Sequence, residues 1–308
     1  MAAIITVTFS PCIDKSTTVP ELLPEKKLKC SAPQLAPGGG GINVARAIIK
    51  LGGSATAVYP SGGYTGKFFK HLLAEEGVPS IIIETANETR ENIIVVDEKT
   101  NRQYRFGMPG TPLKDEEWKQ CLQSVEEAKE VDYVIASGSL PPGVPPDALA
   151  LLGKIAKNKN AKFILDTSGE ALKKAVNEGV YLLKPNLGEL STLAGTDHID
   201  PNRVEEIARS VIEKYRCEVI VASLGKDGAA LITSTESHLV RPPEVIKKST
   251  VGAGDSMVAG IVFSLAYGRS LKEALQYGVA CGTAATLNEG TELCKKKDAD
   301  RLYSSIRS

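Results

Sequence analysis

The chain has 308 residues, and 37 Lys and Arg are balanced by 37 Asp and Glu. That balance excludes a general nucleic-acid or membrane-surface binder, which needs a basic excess; local basic clusters for a small anion stay open. No segment approaches the about 20 apolar residues of a membrane span, and the N-terminus lacks the basic and long apolar regions of a signal peptide, so a cytoplasmic protein is expected. Six scattered cysteines form no CxxC pair, which offers neither a zinc knuckle nor a redox motif and suits reduced structural thiols.

In chain order, a strand at 4–9 leads into a segment, 12–36, that is rich in Pro, Thr and Lys and has no helical period. A helix is predicted at 42–51, a strand at 55–59, a helix at 66–76 and a strand at 80–83. Two β-like pieces, 92–97 and 102–106, flank a polar turn. Then come a helix at 115–129, a strand at 133–136, a helix at 147–157, a strand at 163–166, a helix at 169–177, a strand at 181–184 and a helix at 203–215. Strands at 219–223 and 229–233 precede helices at 255–266 and 271–288, and the last helix runs to the C-terminus. Several strands are continuous Val/Ile/Leu runs, as expected where both faces are covered, and the alternation implies a mostly parallel sheet between two helix layers. Residues 12–36 and 90–107 break the alternation and are expected to form a small β lid over one edge. With no repeat or linker, residues 1–308 read as one domain.

Ligands of such sheets bind beyond the carboxyl ends of the strands. There the sequence places Ser137 and Ser139, Asp166, Lys184 and Ser223. Two Gly-rich formulas fail. The stretch 61–68 departs twice from GxxxxGK[ST], and Gly38-Gly39-Gly40-Gly41-Ile42-Asn43 follows Pro37 rather than a strand and ends in Asn. What remains is Gly252-Ala253-Gly254-Asp255 before a helix. Small residues let successive amides point one way, and the helix N-terminus adds partial positive charge, which together suit a phosphoryl group in transit. Asp255 reads either as the base of a phosphoryl transfer or as a plain N-cap.

The turn 38–41 also opens a helix. Its amides and Asn43 could hold sugar hydroxyls, or it could be a tight turn needing positive φ. Asn186 and Glu189 are spaced as an N-cap pair or as a hold on Mg²⁺ through waters. Ser223-Leu224-Gly225-Lys226-Asp227-Gly228 reads as a strand–turn–strand element. Lys27, Arg90 and Arg105 fall in the expected lid, where they are either solvated or placed for a phosphorylated sugar. The three histidines fall outside all these motifs, and no His pair has metal spacing.

The pair Pro37-Gly38-Gly39-Gly40-Gly41-Ile42-Asn43-Val44-Ala45 and Thr250-Val251-Gly252-Ala253-Gly254-Asp255 resembles the two signatures of the ribokinase-like carbohydrate kinases, with Lys184-Pro185-Asn186 and Ser223-Leu224-Gly225 between them. The segments Tyr104-Arg105-Phe106-Gly107-Met108-Pro109-Gly110 and Gly138-Ser139-Leu140-Pro141-Pro142-Gly143-Val144 are similar to those of its non-P-loop bacterial 6-phosphofructokinase branch. This resemblance implies a three-layer α/β/α fold and ATP-dependent phosphorylation of fructose 6-phosphate. Tagatose 6-phosphate or fructose 1-phosphate as substrate, and a non-catalytic nucleotide or sugar-phosphate sensor, are the alternatives.

By the same resemblance, Asp255 would be the base and Gly252, Ala253, Gly254 and Asp255 the anion hole. Asp14, Lys27, Gly39, Gly40, Asn43, Arg90, Arg105 and Ser139 would hold the sugar phosphate. Lys184, Asn186, Ser223, Gly225, Gly228 and Thr283 would line the nucleotide site, with Mg²⁺ near Glu189. Oxygens of Ser249, Val251, Ala285, Asn288, Gly290 and Glu292 would hold K⁺, although residue 292 is acidic where the pattern has a basic residue. A homodimer joined through the lids and inhibition by excess ATP near Lys27 are also implied.

Overall fold

The computed structural model describes residues 2–307. Its elements are β1 (Ile4–Val7), β2 (Cys12–Val19), β3 (Gln34–Gly38), α1 (Gly40–Lys50), β4 (Thr56–Gly62), α2 (Gly63–Glu75), β5 (Ser80–Thr85), β6 (Arg90–Asp97), β7 (Arg102–Phe106), α3 (Asp115–Glu127), β8 (Tyr133–Ser137), α4 (Ala148–Asn158), β9 (Lys162–Asp166), α5 (Gly169–Val176), β10 (Val180–Leu183), α6 (Leu187–Ala194), α7 (Val204–Tyr215), β11 (Cys217–Ser223), β12 (Ala229–Ile232), β13 (Ser237–Val240), α8 (Ala253–Ala266), α9 (Leu271–Ala285) and α10 (Lys296–Arg307).

Nine strands form the main sheet in the order β13-β12-β11-β10-β9-β8-β1-β4-β5. All pair in parallel except the hairpin β11-β12-β13 at one edge. Successive side chains of each strand enter opposite cores. Ile135, Ile164, Leu182 and Val219 pack with α1, α2, α8, α9 and α10. Their neighbours Val134, Leu165, Leu183 and Ile220 pack with α3 to α7 on the other face. The expected three-layer architecture is therefore present, because strands apolar at every position need cover on both sides.

A second sheet, β3-β2-β6-β7, lies beside the carboxyl ends of the main strands. Its β6 and β7 were legible in the sequence. β2 and β3 fall within 12–36, which was expected to join the β lid, but no strand was placed there, because the buried positions of β2 include Asp14 and Ser16, each 7 % exposed, so no apolar period marks it. The last helix, α10, runs to Arg307 as expected, but it is separate from the helix placed at 271–288: α9 stops at Ala285, the chain turns through Gly290 at φ 60°, and α10 begins at Lys296. No helix among the described residues is long and apolar enough to cross a membrane.

Candidate active site at the start of α8

The N-cap of α8 is Gly252, whose φ of 73° is a left-handed conformation natural to glycine. It brings no side chain to the first-turn amides; that of Ala253 makes one long bond to the Thr250 carbonyl at 3.5 Å, and those of Gly254 and Asp255 stay available to an anion. Asp255 stands three residues further on, so the plain N-cap reading of Asp255 is not what the structure shows. Its Oδ2 accepts from Asn43 Nδ2 at 2.9 Å. The two Gly-rich turns, more than 200 residues apart in sequence, thus meet through their polar side chains. Burial, followed by the nearby Asp166 carboxylate, pushes the Asp255 carboxyl from 3.8 to about 6, against the pull of the Asn43 bond and Lys184.

Lys184, 7 % exposed, follows β10 and bonds Asp166 Oδ1 at 3.1 Å at the end of β9. Burial works against its charge, but the carboxylates of Asp166, Asp255 and Glu189 together hold the ammonium above the usual lysine range. Its Nζ lies against Gly254, so a fixed cation joins the open amides of the turn.

A cavity of about 600 Å³ opens on one side of this turn. Ala253 and Gly254 form its inner end; Ser223, Gly225, Gly228 and Thr283 line it as expected, with Met257 and Val279 giving it an apolar wall. Lys184 and Asn186 are not in its wall but at the adjoining rim, where Asn186 and Ser223 form a β-bridge. Asn186 caps α6: its Oδ1 accepts from the Glu189 amide and Glu189 Oε2 accepts from the Asn186 amide, each at 2.9 Å. Burial, then the neighbouring Asp166, raises the Glu189 carboxyl above its ordinary value.

On the other side of the turn lie the residues expected for the sugar phosphate. α1 begins at Gly40, where a Cβ would collide with Ser137 Oγ and the Gly138 amide, so only glycine lets α1 approach β8 this closely. Asp14 accepts from Asn92 at 3.0 Å. Arg90 is held by the carbonyls of Met108 and Ser10 at 2.8 and 3.1 Å. Arg105 reaches across from β7 to Thr250 Oγ1 at 2.9 Å, and Gln103 Nε2 donates to Ser249 Oγ at 3.2 Å. Neither Arg90 nor Arg105 has a carboxylate partner among the described residues, which leaves two guanidinium charges for an anion. Ser139 is exposed beside Gly138, and Lys27 lies exposed in the β2–β3 loop, with no hydrogen bond or ion pair to the other site residues.

The expected cation loop is two segments lying together. The Lys248 and Ser249 amides face the Thr286 carbonyl at 2.8 and 3.4 Å, Ser249 Oγ donates to Gly290 O at 2.7 Å, and Asn288 Nδ2 to Leu293 O at 2.9 Å. The Glu292 side chain lies at the surface, where its Oε1 pairs with Lys295 Nζ at 3.0 Å.

Residues 7–298 match the model of the pfkB family carbohydrate kinases. The chain belongs to that family. It is 44% identical, over 99% of both chains, to the ATP-dependent 6-phosphofructokinase isozyme 2 of Escherichia coli (strain K12). Crystal structures of phosphofructokinase-2 from Escherichia coli superpose along the full length of both chains. The complex with potassium has a TM-score of 0.96 and 44% identity, and the complex with substrates and products 0.96 and 43%.

Several features of this pfkB chain's site escaped the sequence reading. Arg46, three residues after Asn43, is buried and donates to Asn43 Oδ1; the i, i+3 spacing within the Asn43-Val44-Ala45-Arg46 run was the available signal. Lys226 and the segment Pro242-Pro243-Glu244-Val245 complete the cavity. Two prolines in an irregular stretch gave no periodic pattern to read.

Proposed function

We infer that this chain transfers the γ-phosphoryl group of MgATP to the 1-hydroxyl of fructose 6-phosphate. The observation that carries this reading is the position of the 252–255 turn between the 600 Å³ cavity and the polar side chains Asp14, Asn43, Arg90 and Arg105. A nucleotide in the cavity would direct its terminal phosphate at the open amides and at Lys184. A sugar in the pocket would bring its hydroxyl to Asp255, with Gly39, Gly40 and Ser139 at its edge. Asp255 accepts the hydroxyl proton while the amides and Lys184 stabilise the charge on the moving phosphoryl. The unpaired Arg90 and Arg105 receive the 6-phosphate.

Magnesium arrives with ATP and neutralises its phosphates. Glu189, with one oxygen committed to the α6 cap, suits an outer place reached through water. The oxygen-rich seam of Ser249, Val251, Ala285, Asn288, Gly290 and Glu292 suits a monovalent cation, which would steady the turn preceding the anion hole. The whole chain acts as one domain, with the small sheet as its lid, in the cytoplasm. Cross-strand register lines up Leu35, Lys15, Ile93 and Phe106 on one face of that sheet, with Leu35, Ile93, Tyr104 and Phe106 exposed, a surface suited to pairing with a second copy.

The decisive measurement is ADP production by the purified protein with fructose 6-phosphate, tagatose 6-phosphate and fructose 1-phosphate. Fructose 6-phosphate is expected to give the highest kcat/KM. A higher value for fructose 1-phosphate would overturn the substrate assignment, and no ADP with any sugar would overturn the reaction.

A further inference from the structure

Arg46 is 3 % exposed, a costly place for a guanidinium unless its donors are used. Its Nε and Nη2 fork onto the two oxygens of Glu76 at 2.9 and 2.5 Å, and Nη1 donates to the Pro37 carbonyl at 2.5 Å and to Asn43 Oδ1 at 3.2 Å. Ion pairing with Glu76 alone would explain a structural arginine. The bond to Asn43 adds something else.

The two ends of an amide are alike in shape, and their orientation follows from their partners. A guanidinium has donors only, so the Asn43 atom facing Arg46 must be the oxygen. The Asn43 NH₂ group must then face Asp255, where it is met at 2.9 Å by a carboxylate oxygen free of its proton. Turned over, the amide would set its oxygen against the carboxylate. We propose that Arg46 is a positioning residue: clamped by Glu76 and the Pro37 carbonyl, it locks the Asn43 amide toward Asp255, so that one carboxylate oxygen is tied down and the other is presented to the sugar hydroxyl. This role deepens the kinase reading and rests on it. The other charged groups facing Asp255 are Asp166, Asp14 and Lys184, and Arg46 bonds none of them.

The test is the double variant R46M/E76Q, which removes the guanidinium without leaving a bare carboxylate. At neutral pH its kcat is expected to fall about 10- to 100-fold, with KM for MgATP and for fructose 6-phosphate changed less than about threefold. The acid limb of kcat against pH should move upward by about half a pH unit. E76Q alone, which weakens the clamp but keeps the Arg46 donor on Asn43, should lose less kcat than the double variant. A folded double variant with parental kcat and an unmoved acid limb overturns the positioning role. If the double variant does not fold, R46K takes its place: a point charge cannot serve Glu76 and Asn43 together, so an intermediate kcat loss and limb shift are expected, and their absence is equally decisive. Asp255→Asn measured alongside separates the two claims. An active Asp255→Asn removes the base and the proposal with it; an inactive one beside an unaffected R46M/E76Q removes only the role of Arg46.

Discussion

α6 and α8 begin with the same arithmetic, a cap residue and an acid three positions later, and use it in opposite ways. At α6, Asn186 and Glu189 exchange two bonds of 2.9 Å and close the first turn on itself. At α8, Gly252 offers no side chain and Asp255 turns away from its own helix to Asn43 on α1. The first arrangement satisfies the local rule for a helix start and stabilises. The second leaves amides open beside a carboxylate whose charge is disfavoured, a cost that makes sense only where an anion and a proton are to be handled.

The largest expected contrast between the two starts is Asp255→Asn. It should lower kcat by about 10²–10⁴ or more while raising stability at neutral pH by about 1–3 kcal/mol; equal loss of stability and activity would mean that Asp255 is a cap after all. The pH dependence follows from the same group. Its folded-state value, about 6, lies above the ordinary 3.8, so its contribution to stability is full below about 3.8 and disappears as pH rises through about 6. Activity runs the other way: kcat should fall as pH drops through about 6, and a limb nearer 4 would contradict the burial of this carboxylate. Arg105→Ala should raise KM for fructose 6-phosphate about tenfold with little change in melting temperature, because Arg105 is exposed and its partner Thr250 is a hydroxyl. The smallest effect belongs to α6. Glu189→Ala should cost about 1 kcal/mol, whereas Glu189→Gln should keep that stability and shift only the Mg²⁺ concentration giving half-maximal rate.

The main sheet was legible because its strands are apolar at consecutive positions, as in Val219-Ile220-Val221, and that pattern survives without knowledge of partners. Both Gly-rich turns were visible for a similar reason: a run of small residues before a helix is a local signal. The contacts that make them a site are not local. Nothing near Asn43 in sequence points to Asp255, and nothing near Gln103 points to Ser249. β2 was hidden because its inward positions carry Asp14 and Ser16, the polarity the site needs in place of the apolar period that would have revealed the strand. Residues 186 and 189 were read with two outcomes open, and the structure realises the capping one, which leaves a single oxygen of Glu189 for anything else.

The two bonds from β7 to the 249–250 segment have a structural corollary. β7 belongs to a hydrogen-bonded sheet separate from the main one, so these contacts link it directly to the strip of chain just before the phosphate turn. A neutral bond such as Gln103–Ser249 is worth about 0.5–1.5 kcal/mol and a charged one such as Arg105–Thr250 about 1.5–3 kcal/mol. The segment that leads into the phosphate turn is thereby held in part by two side chains of a different sheet, Gln103 and Arg105.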